Sequence, residues 1–281
     1  VVLAVLYKLF MDDLKAKKSS PIAYSCYFAR NREGEQFASE HVFSYQISGT
    51  LIVNNGDKEY IFNEGDFRLI RRNQLLKFVK QPPQDGVFKS VSIYFDQAML
   101  RSFSIEYGYK AVTGKNPKTE TIIPLKGRPL YKSFMESLLP YIQGDELIND
   151  RLQVLKQREA IMMLLLSKPE IKDILFDFSE PGKIDLEAFM NKNFHFNVQL
   201  KRFAYLTGRS LATFKRDFEH IFHVSPSKWL QQRRLKEAHY LIREKGRTAS
   251  DVYLEIGFED LSHFSFAFKK MYGTSPSKLG R

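Results

Sequence analysis

Six histidines and a single cysteine are the residues of this 281-residue chain whose types could hold a metal or act as a nucleophile. Their spacing supports neither chemistry. His41 stands alone between residues 22 and 96, with no His-x-His pair there, and "RRNQLLKF" (71–78) has no histidine either. His195, His220, His223, His239 and His263 are scattered over the last third. His220 and His223 are three apart, but no ligand set joins them, and they read as surface or packing residues. No Gly-rich phosphate loop and no Gly-x-Ser-x-Gly occurs. Cys26 cannot form an internal disulfide, fits a reducing compartment and is given no role. The expectation is a protein that is not an enzyme and has no metal and no cofactor.

The chemistry that remains is cationic. Residues 181–281 hold 18 Lys/Arg against 10 Asp/Glu, whereas residues 1–180 hold 25 against 22. The last third therefore carries most of the formal charge of +11. An anionic partner is expected there, nucleic acid ahead of an acidic membrane surface. The apolar start "VVLAVLYKLF" is too short to span a bilayer and is interrupted by Lys8. "DDLKAKK" follows in place of a small-residue cleavage site, so it reads as no signal peptide. A cytoplasmic protein without membrane contact is expected. Hydrophobic residues at 43% and charged residues at 27% fit one or two folded domains.

The elements that must position the cations follow from periodicity. Residues 22–96 read as strands: "HVFSYQIS" nearly alternates, and "TLIVNNGDKEYIF" sets two apolar runs around a hairpin turn. "NEGD" and "QPPQDG" are further turns. Many short strands imply an antiparallel sandwich or small barrel. "RPLYKSFMESLLPYIQ" (128–143) and "INDRLQVLKQREAIMMLLLSK" (148–168) are helical by spacing, with Leu152, Leu155, Ile161, Met162 and Leu165 mostly on one side of the second. They read as an antiparallel hairpin that covers the strands or packs on a second copy. "FSEPGK" (178–183) reads as a linker before an all-helical region.

That region contains a repeat. A shift of fifty residues brings Leu211 onto Leu261, Phe214 onto Phe264, Phe218 onto Phe268, and "SPSK" at 225–228 onto "SPSK" at 275–278. The matches fall at steps of three, four and seven, the spacing of one buried helix face. Leu211, Phe214, Phe218, Phe222, Phe264 and Phe268 therefore read as core. Each copy reads as helix, tight turn, helix. Asn197 and Ser210 are the expected caps in the first, Thr248 and Asp260 in the second, with Gly208 and Gly257 in the turns. This is the helix-turn-helix plan, whose second helix enters the major groove. Residues 226–245 read as one connecting helix, ~30 Å long at ~1.5 Å per residue. Successive grooves on one face of DNA lie about 34 Å apart. Trp229 and Leu230 are expected to pack on the first unit.

"RDFEHIFHVSPSKWLQQRRLKEAHYLI" followed by "GFEDLSHFSFAFKKMYGTSPSKL" strongly resembles the AraC/XylS transcription regulators over residues 195–280. The resemblance implies an α+β two-domain fold. A cupin-like antiparallel β-barrel with a helical hairpin forms a sensor and dimerisation domain over 1–178. Residues 179–183 form a linker, and a double helix-turn-helix DNA-binding domain spans 184–281. "SGTLIVNNG" and "NEGD" carry the weaker, N-terminal part of the likeness. Carried over residue by residue, the base-reading positions fall on Ala212, Thr213, Lys215 and Arg216 in the first unit. In the second they fall on Leu261, Ser262, Ser265 and Phe266. Phe266 departs from the pattern, because arginine is common there. An aromatic ring can touch a thymine methyl or pack internally.

Lys228, Lys269, Lys270 and Lys278 are the phosphate candidates. In the β region, Phe28, His41, Phe43, Tyr45, Tyr60, Arg68 and Tyr94 are candidate lining residues for a small-molecule effector. An inward-pointing Arg68 would suggest a carboxylate or phosphate. The expected partners are double-stranded DNA, such an effector, a second copy through 128–168, and RNA polymerase. Two rival readings are an enzymatic barrel with an accessory helical domain and a helical module that binds protein.

Overall fold

Alternation sorts the first half of the chain into two faces. In β3 (His41–Ser48), Phe43 and Tyr45 face one way and Val42 the other, each into its own apolar cluster. A computed structural model describes residues 21–32, 36–112, 120–143 and 149–279. The apolar start at 1–10 and the hairpin loop at 144–148 lie outside the described residues. One antiparallel sheet runs in the order β1 (Ile22–Tyr27), β9 (Phe88–Phe95), β3, β6 (Phe67–Ile70), β10 (Ile122–Leu125). A second runs β5 (Glu59–Phe62), β4 (Thr50–Asn54), β8 (Lys77–Gln81). The short strands β2 (Phe37–Ala38) and β7 (Gln74–Leu75) pair with each other. Among the described residues the sheets do not join into one hydrogen-bonded ring, so the cupin-like unit is an open barrel. The Asn-Asn-Gly-Asp turn falls between β4 and β5, where Gly56 has φ 92° and its N–H donates to the Asn54 side chain at 2.7 Å.

Helices cover the outer face of the larger sheet. α1 (Gln97–Tyr107) is capped by Asp96, which accepts from the Met99 N–H at 2.7 Å. α2 (Pro129–Gln143) places Tyr131 edge-on to Phe43, with ring centres 5.4 Å apart. α3 (Asp150–Ser167) is capped by Asn149 and buries Ile161, Leu164 and Leu165. The stripe is narrower than its spacing suggests, because Leu155 is 62% exposed and Leu166 79%. Six consecutive apolar residues in "IMMLLL" go all the way round a helix, and the sheet covers only one side. A 3-10 turn (Pro169–Ile171) and α4 (Lys172–Leu175) complete this layer. No helix among the described residues is long and apolar enough to cross a membrane.

Residues 177–185 form no helix or strand, yet they are held on both sides. The buried Arg72 donates to the Asp177 carbonyl at 3.1 Å and the Ser179 carbonyl at 2.6 Å. Beyond them lie α5 (Leu186–Asn193), α6 (Leu200–Leu206), α7 (Leu211–Phe222), α8 (Pro226–Arg243), α9 (Ala249–Val252), α10 (Leu261–Tyr272) and α11 (Pro276–Leu279). The β region docks on these helices. Phe37 and Leu75 join the cluster of Leu186, Met190, Phe196 and Phe203. Asp57 pairs with Lys192 at 2.6 Å, the Gln36 side chain accepts from the Asn197 N–H at 2.9 Å, and Asn73 donates to the Tyr205 hydroxyl at 3.1 Å. Lys77 reaches further along the chain and donates to the Glu255 carbonyl.

A buried histidine, His41, and a half-buried one, His195, lie along this junction. His41 accepts from the Arg72 N–H at 3.3 Å. Burial, with Arg72 and Arg71 beside it, brings its pKa down to about 3. His195 is brought down to about 4 by burial and by Lys77 and Arg234. Both folded values lie below the unfolded value of ~6.5, so unfolding takes up protons. The stability that neutral burial provides is complete above about pH 6.5 and is lost as pH falls toward 4. Urea midpoints are expected to be flat from pH 8 to 7 and to drop steeply between 6.5 and 4, less steeply in His195→Gln. An equal drop in that variant would remove His195 from the account.

Candidate nucleic-acid interface

The first unit is α6, a turn and α7. The Ser210 hydroxyl accepts from the Thr213 N–H at 3.2 Å and starts α7. Gly208 makes the turn at φ 65°, and a Cβ added there would stand 2.4 Å from the Gly182 backbone. Asn197 does not cap α6. That helix starts after Gln199 without a side-chain cap, and Asn197 instead donates to Glu259 of the second unit at 2.5 Å.

The second unit repeats the plan. Thr248 caps α9, which is one turn long, and Gly257 turns at φ 96°. Asp260 accepts from the His263 N–H at 2.7 Å and starts α10. Both α7 and α10 end on a left-handed residue, His223 in one and Gly273 in the other, fifty positions apart.

Phe214, Phe218, Phe264 and Phe268 are fully buried, and Phe222 is half-buried. Trp229 meets Phe218 edge-on at 5.6 Å, and Leu230 is buried beside it. Leu211 departs from the expected core, being 40% exposed. It opens α7, one turn before the buried Phe214 and two before Phe218.

The opposite faces are open to solvent. On α7, Ala212, Lys215 and Arg216 are exposed, and Thr213 is half-buried with its hydroxyl 3.0 Å from Ser210 Oγ. On α10, Ser262 and Phe266 are exposed, and Leu261 and Ser265 are half-buried. Lys228, Lys269, Lys270 and Lys278 are all exposed. Of the candidate effector residues, Phe28 is exposed, and Phe43 and Tyr45 face the covering helices. His41 meets Arg72, Tyr60 packs in the apolar cluster between the sheets, and Arg68 is buried. Tyr94 packs against that same cluster.

Sequence reasoning missed the residues that fix the units in place. Arg234 in α8 donates to the carbonyls of Phe194, Phe196 and Gly257, each at 2.8 Å. The chain entering the first unit and the turn of the second thus share one guanidinium. Burial lowers its pKa to about 10, and it stays charged at neutral pH. The signal was available: Arg234 stands four residues from both Leu230 and Ala238, which are buried. Arg209 ties the first turn to α7 through Asp217 at 3.1 Å and to the chain just before α5 through the Ile184 carbonyl at 3.1 Å. Asp217 also meets Arg216 at 3.3 Å. Hydrogen bonds from Arg209, then from Arg216, hold its carboxyl below the usual carboxylate range. Among the described residues, no group of three or more His, Cys, Asp or Glu side chains is placed to hold a metal ion.

Residues 203–281 match a family model described as a helix-turn-helix domain, and residues 41–175 match the ExsA N-terminal regulatory domain. The thermoregulatory protein LcrF of Yersinia pestis is 32% identical over 245 residues, covering 83% of this chain and 86% of LcrF. The transcriptional regulator ExsA of Pseudomonas aeruginosa is 25% identical over 239 residues, 83% of each chain. A crystal structure of apo ToxT from Vibrio cholerae aligns at a TM-score of 0.45 and 12% identity, over 94% of this chain and 98% of that one. With both halves matched in order, and with a relative at 32% identity along most of its length, the chain belongs to the AraC family of DNA-binding transcription regulators.

Proposed function

We propose that this regulator is an activator that reads two successive major-groove segments per chain, with α7 and α10 as its recognition helices. The observation that carries the reading is the pair of solvent-open helix faces, each backed by buried phenylalanines and joined by the 18-residue α8. Eighteen residues at ~1.5 Å each span ~27 Å, within reach of one groove repeat. Arg216 is the leading base contact, since its planar fork matches guanine O6 and N7. Thr213 and Ser262 bond base edges or phosphates, Phe266 offers its ring to a thymine methyl, and the four lysines grip phosphates. A relative from Yersinia enterocolitica is described as a virulence regulon transcriptional activator, which supports activation and RNA polymerase as a partner. The sensor part ends near 178 and the DNA-binding part starts near 184. The exposed Leu155 and Leu166 of α3 suit pairing with a second copy.

Genome-wide mapping of bound DNA yields the operator, and anisotropy titrations on it test the reading. Arg216→Ala is expected to cost about 1–3 kcal/mol and to relax preference at one base position. Lys269→Ala should weaken all sequences alike and reduce the salt slope by about 1. Light scattering on the same complex should find two chains per operator. Unchanged binding by Arg216→Ala would move the recognition helix elsewhere.

A further inference from the structure

Three charged residues of the first unit are linked in series. Arg209 stands in the turn, with its side chain 11% exposed. Its Nη1 donates to the Thr207 carbonyl at 2.8 Å and to the Ile184 carbonyl at 3.1 Å, and its Nε donates to Asp217 Oδ2 at 3.1 Å. The other carboxylate oxygen, Oδ1, accepts from Arg216 Nη2 at 3.3 Å. Adjacent residues on a helix do not face each other. The Arg216 side chain, 77% exposed, therefore leans across α7 to reach a carboxylate that Arg209 holds still.

Stability of the fold does not account for this arrangement. An ion pair with one partner so open to solvent adds little. Nor does the helix-turn-helix plan need it. Fifty residues on, Glu259, Phe266 and Ala267 stand where Arg209, Arg216 and Asp217 stand. The whole set is replaced, and α10 still forms, with a side-chain cap at its start and a left-handed residue at its end.

An acid beside the leading base contact opposes DNA binding by its charge. Hydrogen bonds from Arg209, then from Arg216, hold its carboxyl below the usual carboxylate range, so it is ionised at neutral pH. A phosphate that approaches Arg216 meets this carboxylate as well and is repelled. Guanine O6 and N7 are uncharged acceptors and meet far less repulsion. A guanidinium has five N–H donors, so it can keep one on Asp217 while it presents a pair to the base.

We infer that Asp217 is a positioning residue for DNA recognition: its carboxylate, anchored by Arg209, holds the Arg216 fork toward guanine and away from the phosphate backbone. The inference rests on the reading of Arg216 as a base contact. An acidic residue that weakens DNA binding in general thereby becomes a source of sequence preference.

The test compares two duplexes by anisotropy over a range of salt, one that the wild-type chain selects from a random-sequence pool and a shuffled copy of it. Asp217→Asn keeps an oxygen that can accept from Arg209 and removes the charge. It is expected to bind the shuffled duplex more tightly, with a salt slope steeper by about 1, because the released Arg216 takes a phosphate. The ratio of selected to shuffled affinity should fall about tenfold, with preference lost at the base position that Arg216→Ala also relaxes. In the Arg216→Ala background the same substitution should leave the ratio unchanged, since it acts through Arg216. Asp217→Ala, which puts there the residue type of Ala267, gives the same reading should the asparagine variant fold poorly. An unchanged ratio in Asp217→Asn, with a fall in Arg216→Ala, overturns this inference alone. No effect of Arg216→Ala overturns the reading beneath it as well. A ratio that falls equally with and without Arg216 also overturns the inference, and would assign Asp217 to holding the turn.

Discussion

Arg234→Met is expected to destabilise the protein by about 3 kcal/mol and to weaken operator binding more than unfolding alone explains. Hydrogen bonds from a charged donor are worth about 1.5–3 kcal/mol each, and the partners left behind are buried carbonyls. Three such bonds would overstate the loss, because burying the guanidinium has its own cost, seen in its lowered pKa. Methionine keeps much of the stem packing and removes only the fork. The larger consequence is geometric. Phe194 and Phe196 belong to the approach to the first unit and Gly257 to the turn of the second, so the fork sets the angle between two grips on one DNA. Urea unfolding followed by circular dichroism gives the stability loss, and anisotropy at a temperature where the variant is folded gives the affinity. Arg234→Lys should recover little, since an ammonium cannot present three coplanar donors. Wild-type binding by the folded methionine variant would show that α8 alone fixes the angle.

Phe268→Ala is expected to cost about 3–5 kcal/mol, while Phe266→Ala, two residues away, should cost less than about 0.5 kcal/mol. Phe268 is fully buried, with Tyr272 at 4.8 Å and Phe264 at 5.6 Å between ring centres. Truncation there leaves a cavity that a helix closed by Asp260 and Gly273 cannot easily fill. Phe266 is 71% exposed, so its loss should register in DNA affinity and hardly in Tm. The pair separates what builds the second unit from what faces DNA. Comparable melting losses in the two variants would mean that the face of α10 has been assigned wrongly.

The repeat made the helical region legible, because steps of three, four and seven survive without any knowledge of tertiary contacts. Ser210, Thr248 and Asp260 cap as their positions suggested, since a cap bond is local. Asn197 did not follow, because a distant partner, Glu259, outbids its own helix. Leu211 failed for the same kind of reason: matching periodicity says which residues share a face, not where the neighbouring helix ends. In the β region the turns were readable and strand parity was not. Parity decides whether Phe43 or Ser44 faces inward, and it follows from pairings of Ser44 with Arg68 and with Ser92, twenty-four and forty-eight residues further along the chain. The docking of Lys77 on the helical part and of Arg72 on the backbone at 177–179 left no trace in sequence, because both look like ordinary strand-edge cations there.

The contacts of the β region with both helix-turn-helix units make the operator itself an input. Asn73 holds the first unit at Tyr205, Gln36 and Asp57 hold the chain leading into it, and Lys77 holds the second at Glu255. DNA that seats best at one angle between the units must work with or against those contacts. Linkage then runs both ways: whatever free energy the docked contacts add to or take from DNA binding, bound DNA adds to or takes from those contacts. Two promoters with differently spaced half-sites would therefore leave the sheet docked on the helices to different degrees in the same protein.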